Sequence, residues 1–126
     1  MMNIALMNRW IEALESGKYP QCQGALHNFE GYCCLGVLVD IEYGPDTWID
    51  MSCDAEKECF GYSNSDYGEL LDDFPDNDLM DDVGINEMEI GPSDLSGMND
   101  DGQSFAEIAA YLRERLAEYL AAQEAQ

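Results

Sequence analysis

Basic residues are what this sequence has least of. Its 126 residues include only 5 Lys and Arg against 27 Asp and Glu, a formal charge of −22 with the single His neutral. Direct binding to nucleic acid is therefore not expected, because phosphate contacts need clustered Lys and Arg. Long apolar runs are missing too, so no transmembrane helix and no membrane partner are expected. The start, Met1-Met2-Asn3-Ile4, lacks the basic region, apolar core and small-residue cleavage site of a signal peptide. The expected location is the cytoplasm.

Catalytic and metal signatures are equally scarce. There is no G-x-S-x-G elbow, no phosphate-binding glycine loop and no H-E-x-x-H pair. No catalytic residue is assigned, and the chain does not read as an enzyme. The cysteines, Cys22, Cys33, Cys34, Cys53 and Cys59, are odd in number and contain no C-x-x-C. Without a secretion signal they read as buried reduced thiols, not as a disulfide framework or a zinc site. His27 is the only imidazole. A calcium loop fails at both candidate glycines: Gly102 at position 6 puts Gly97 first and Ile108 twelfth, and Gly84 there puts Leu79 first and Val83 fifth. Asp72-Asp73 and Asp81-Asp82 remain as weak divalent-cation sites at most. No metal or cofactor is expected.

What is present suffices for a core. Apolar residues make up 46% of the chain, with 7 Tyr, 4 Phe and 2 Trp, which argues against acidic disorder. The length suits one domain over residues 1–126. A compact chain of this size has a diameter of roughly 36 Å. Duplex DNA of that length would carry about 21 phosphates, so the charge density is comparable with DNA. A small domain needs a net charge of only about 2–8 for solubility. The charge is also segregated, with twenty acids and the single base Lys57 in residues 40–101.

The periodicity predicts an α+β fold in which two terminal helices, 3–16 and 104–120, pack with a central apolar helix and short antiparallel strands. Ile4, Met7, Ile11 and Leu14 form the first stripe, with Trp10 beside them and Gly17 as a C-terminal cap. A small hairpin is expected within 21–32. The run 33–41 permits a buried strand or a buried helix. Its length and the stripe Leu35, Leu38 and Val39 favour helix, with Gly36 allowing a close approach. Gly44-Pro45-Asp46 reads as a turn, and 47–51 with 58–62 as a second small sheet. Two short helices are expected over 67–74 and 76–83, separated by Pro75. Met88, Ile90 and Leu95 read as loop around Gly91-Pro92. Ser104 and Glu107 form a capping box, followed by the stripe Phe105, Ile108, Leu112, Leu116 and Tyr119. Residues 121–126 are expected to fray.

The acidic middle is the candidate partner-binding surface: Asp54, Glu56, Glu58, Asp66, Glu69, Asp72, Asp73, Asp76, Asp78, Asp81 and Asp82. Glu69, Asp72, Asp73 and Asp76 share a face if helical, at a cost in helix stability that no interleaved Lys offsets. Carboxylates on rigid elements can replace phosphates in a basic groove and reproduce the steering and counterion release of DNA. Trp48 or Tyr62 is a candidate aromatic anchor for such an interface.

The segment 10–19, the run Gly31-Tyr32-Cys33-Cys34-Leu35-Gly36-Val37-Leu38, and the late Leu95-Ser96-Gly97-Met98-Asn99-Asp100, Ser104-Phe105 and Glu107-Ile108-Ala109 together resemble a family of small phage and prophage proteins. The resemblance covers both ends, about half of the chain, while the middle is more acidic here than in many members. A phage-type scaffold with DNA-like charge looks like a DNA-mimic inhibitor of host defence, in character like acidic anti-CRISPR proteins of type I systems, such as type I-C. That resemblance implies a monomeric inhibitor without catalytic residues or cofactor. Its partner would be the basic DNA-binding large subunit of the Cascade effector complex, which reads the PAM duplex. A restriction enzyme or nucleoid protein is the alternative target, and an acidic metal-binding phage protein the alternative class.

Overall fold

The computed structural model describes residues 3–23, 25–28, 30–50, 59–63, 71 and 74–124. Helix α1 (Ile4–Glu15) starts where the Asn3 side chain accepts from Leu6 N and stops at Ser16. Its buried face is Leu6, Met7, Trp10, Ile11 and Leu14. Ile4, expected in this stripe, is 41% exposed, and Leu6 takes its place.

The hairpin is formed by β1 (His27–Asn28) and β2 (Gly31–Tyr32), with His27 opposite Tyr32. Asn28 shapes its turn by accepting from Glu30 N and Gly31 N. The apolar run that follows is helix α2 (Cys34–Tyr43), in which every residue from Cys34 to Asp40 is buried. A helix apolar on all sides belongs at the centre of a fold, and α2 packs on both α1 and α4 (Pro92–Asp100). Trp10 fixes the α1 contact by donating from Nε1 to the Cys34 carbonyl at 2.8 Å. Gly36 provides the close approach expected of it: a Cβ there would lie 1.9 Å from the Leu26 carbonyl oxygen.

A 3-10 turn over Pro45–Thr47 leads into β3 (Ile49–Asp50) and β4 (Cys59–Gly61). These do not make a second sheet. β4 pairs with β1, so all the strands join one antiparallel sheet in the order β2-β1-β4-β3. This pairing is non-local, which local composition does not report. The helix expected over 67–74 is not found at its described positions. Leu71 exchanges two backbone bonds with Tyr62, and Phe74 lies in a bend. The rest of that segment lies outside the described residues.

Helix α3 (Asn77–Val83) lies within the expected 76–83, with Asp76 as its cap. The stretch around Gly91-Pro92 is a correction: Gly91 caps α4, Pro92 opens it, and the Asp94 carboxylate accepts from Gly91 N. Pro at the first helical position lacks only an N–H that has no helical partner there, so the pair that read as a loop is a helix start. Leu95 faces the core from α4, and Met88 and Ile90 are buried beside it. Helix α5 (Phe105–Glu124) begins at Ser104, whose Oγ accepts from Glu107 N. It continues through 121–124, which were expected to fray. Ala121, Ala122, Gln123 and Glu124 are all good helix formers. The protein is a small single α+β domain with α1 against α5, α2 and α3.

Ala at position 36 would drive a methyl group into backbone, which cannot rotate away. Gly36→Ala should lower unfolding stability by about 2 kcal/mol or more, read as a reduced urea midpoint at unchanged slope.

Candidate interaction surface

Among the described carboxylates, all but Asp40 and Asp76 are exposed. Asp40, on α2, accepts from Tyr19 Oη at 2.7 Å and from Trp48 Nε1 at 3.0 Å. Asp76 accepts from Tyr62 Oη at 2.7 Å, from Tyr43 Oη and from Leu79 N, while its own N–H donates to Tyr62 Oη. Burial, together with these carboxylates, pushes the Tyr19, Tyr43 and Tyr62 hydroxyls up from their ordinary value. The phenols stay protonated and act as donors. Tyr62 is fully buried and Trp48 half-buried, so Tyr62 does not serve as an exposed anchor. His27 is stacked between Tyr32 and Phe60, and its Nδ1 donates to the Gly31 carbonyl at 2.6 Å.

The exposed carboxylates follow a different logic. Asp78, Asp81 and Asp82 lie on the outer side of α3, opposite the buried Leu79, Met80 and Val83. Asp81 and Asp82 occupy the last turn, where the helix dipole disfavours negative charge and no basic residue is present. The pattern recurs. Glu42 lies near the end of α2, Asp100 and Asp101 at the end of α4, and Glu124 at the end of α5, each helix without a base in its last turn.

The described arginines do not offset this. Arg9 donates to the Ile41 carbonyl. Arg113 forms a two-pronged bond with Glu15, joining α5 to α1 and holding the Glu15 carboxyl below its usual range. Arg115 donates to the Met88 carbonyl and pairs with Glu118. These bonds tie elements of the fold to one another, and the carboxylates of α3 receive none of them.

Of the sequence-derived surface residues, the structure describes four. Asp78, Asp81 and Asp82 come together on α3, and Asp76 turns inward as an architectural residue. Because Asp76 caps α3 in extended backbone, it does not continue a helical face with Glu69, Asp72 and Asp73. Asp54, Glu56, Glu58, Asp66, Glu69, Asp72 and Asp73 lie outside the described residues. Beyond 40–101, Glu107, Glu114 and Glu118 are also exposed along α5. Asn99 was noted only within a motif. It is fully buried, donates to the Cys22 carbonyl and accepts from Gln21, fastening the segment before the hairpin to α4.

Among the described residues no group of three His, Cys, Asp or Glu side chains is placed to hold a metal ion. No described helix is long and apolar enough to cross a membrane. Cys22, Cys33 and Cys34 are buried free thiols. Burial pushes Cys22 up to about 12, Cys33 up to about 11, and Cys34 well above the ordinary thiol value.

The molecule is thus a small, strongly acidic α+β protein whose charged surface is assembled from helix ends and outer helix faces. Residues 2–116 match the family model described as Domain of unknown function (DUF8296), and the chain belongs to that family. No curated protein and no solved structure matches it.

The two kinds of aspartate should separate in stability. Asp76→Ala removes a helix cap and two phenol partners and should cost about 3 kcal/mol. Asp82→Asn should change stability by no more than about 0.5 kcal/mol, in the stabilising direction. Urea unfolding of the two variants reads the difference. The thiols give a second test. In the folded protein at pH 8, Cys22, Cys33 and Cys34 should resist a thiol-specific disulfide reagent that labels them fully in denaturant, with peptide mapping assigning each site.

Proposed function

We propose that this protein is a non-catalytic inhibitor that binds in place of DNA in the basic channel of a nucleic-acid-binding protein. The observation that carries this reading is the placement of the carboxylates. They are exposed among the described residues, and Asp81, Asp82, Glu42, Asp101 and Glu124 sit at helix C-terminal ends where negative charge weakens the helix. A charge pattern that opposes local stability needs a use outside the fold, and attraction to a basic surface provides one. The same carboxylates repeat, at DNA-like density, the charge that such a surface is built to receive.

The proposed target is the large subunit of a type I CRISPR effector complex, where the acidic surface would occupy the channel that reads the PAM duplex. Target DNA would then be excluded by competition. The protein would act stoichiometrically, as a monomer, in the cytoplasm of a bacterial host. It would need no cofactor and would make no direct contact with nucleic acid.

Capture of the tagged protein by a purified type I effector, with PAM-containing duplex as competitor, tests this. Binding should fall steeply between low and high salt, and the duplex should displace it. The triple variant Asp78→Lys, Asp81→Lys, Asp82→Lys keeps Asp76 and the core intact and should bind at least about tenfold more weakly, a loss of about 1.4 kcal/mol. Capture indifferent to DNA and to this variant would overturn the mimicry. Absence of capture would exclude this effector, and the same assay would then be run on restriction enzymes and nucleoid proteins.

A further inference from the structure

The acidic surface makes no use of the turn Ser16-Gly17-Lys18-Tyr19 that follows α1. That turn is built with care. Ser16 Oγ donates to the Ala13 carbonyl at 2.7 Å and accepts from Lys18 N at 3.2 Å. Gly17 takes a φ of +73°, which an L side chain rarely adopts. Lys18 lines an open groove of about 350 Å3 together with Arg9, Glu12, Ala13, Tyr19 and Ile41.

Two of the chain's 5 basic residues therefore line one groove. Arg9 is aimed by its Nη2 bond to the Ile41 carbonyl at 3.1 Å. The Tyr19 ring is held by its bond to Asp40 and by edge-to-face packing on Tyr32 with centroids 5.2 Å apart. The Lys18 ammonium has no hydrogen-bond or ion-pair partner among the described residues. The groove thus combines two cations, Arg9 and Lys18, with a single carboxylate, Glu12, in a chain where carboxylates far outnumber cations.

We propose that this groove binds a small phosphate-bearing ligand of nucleoside-monophosphate size. Its volume lies within the range of small-molecule sites. The Arg9 guanidinium and Lys18 ammonium receive the phosphate oxygens. Tyr19, Ala13 and Ile41 receive the apolar or planar part of the ligand. Glu12 accepts a hydrogen bond from a ligand hydroxyl or amine. The inference is independent of the DNA-mimic reading and differs from it in salt response. The net charge of the chain repels an anion at long range, so added inert salt relieves that repulsion while it weakens the short contacts. The salt dependence is therefore shallow, in contrast to the steep loss expected at the acidic surface.

Two-dimensional amide NMR on the intact protein, titrated with adenosine monophosphate, inorganic phosphate and adenosine, tests the proposal. The monophosphate and inorganic phosphate should move amide signals of residues 9–19 and 41, and adenosine should not. Lys18→Gln, at an exposed position that leaves the fold untouched, should weaken monophosphate binding about tenfold, and Arg9→Gln should do likewise. No shift with millimolar monophosphate would overturn the proposal, as would equal shifts with adenosine. So would an unchanged affinity in Lys18→Gln with a native spectrum.

Discussion

The burial of α2 is the constraint on which the rest of the structure depends. A helix with Cys34 through Asp40 all out of solvent cannot lie at a surface. It needs cover on every side, and α1, α4 and the hairpin supply it. The approach of the Leu26 carbonyl to Gly36 packs the segment preceding β1 against the helix backbone with no room for a Cβ. The same carbonyl accepts from Cys33 N at the start of α2. The position of the sheet and the path of the chain into α2 are thus set by one close approach. Asp40 extends this arrangement outward, since its carboxylate at the edge of α2 gathers Tyr19 and Trp48 into the layer around the sheet.

Around this apolar centre the charge is divided by role. Asp40 and Asp76 are surrounded by phenol and indole donors and act as internal joints. The described arginines act as external joints, each bonded to a carbonyl or carboxylate of another element or of its own helix. A chain with so few cations that uses them in this way leaves its remaining carboxylates exposed to solvent and to one another. Self-repulsion of that kind opposes compaction, and the hydrophobic centre must outweigh it. The fold is in this sense a rigid carrier for negative charge. The groove holding Arg9 and Lys18 is the exception to that pattern.

Much of this was legible in the residues. Helices α1 and α5 carry their own periodicity, and Asn3 and Ser104 mark where they begin. Pro75 and the helical pattern over 76–83 marked α3, and Gly36 announced a close approach. Other features were hidden for identifiable reasons. Gly91-Pro92 signals a turn and a helix start equally well, and only the helical course of Ser93 to Asp100 decides between them. Leu71 sits among helix-compatible residues, yet its backbone bonds go to Tyr62, a partner outside any local window. The segments around β3 and β4 read as strands, but the pairing of His27 with Phe60 that joins them to the hairpin is non-local.

The candidate surface divides in the same manner. The quantity of negative charge, its excess in the middle of the chain and the helical spacing of Asp78, Asp81 and Asp82 were determined by the sequence alone, because charge and periodicity are local properties. Which carboxylates are available to a partner was decided by the tertiary structure. Asp76 and Asp78 are the same residue type two positions apart, and although Asp76 caps α3 through a local bond from Leu79 N, nothing local reveals the phenols that enclose it. Folding brings Tyr43 and Tyr62 to Asp76 and brings neither to Asp78. A carboxylate's role depends on the donors that surround it, and those donors arrive from distant parts of the chain.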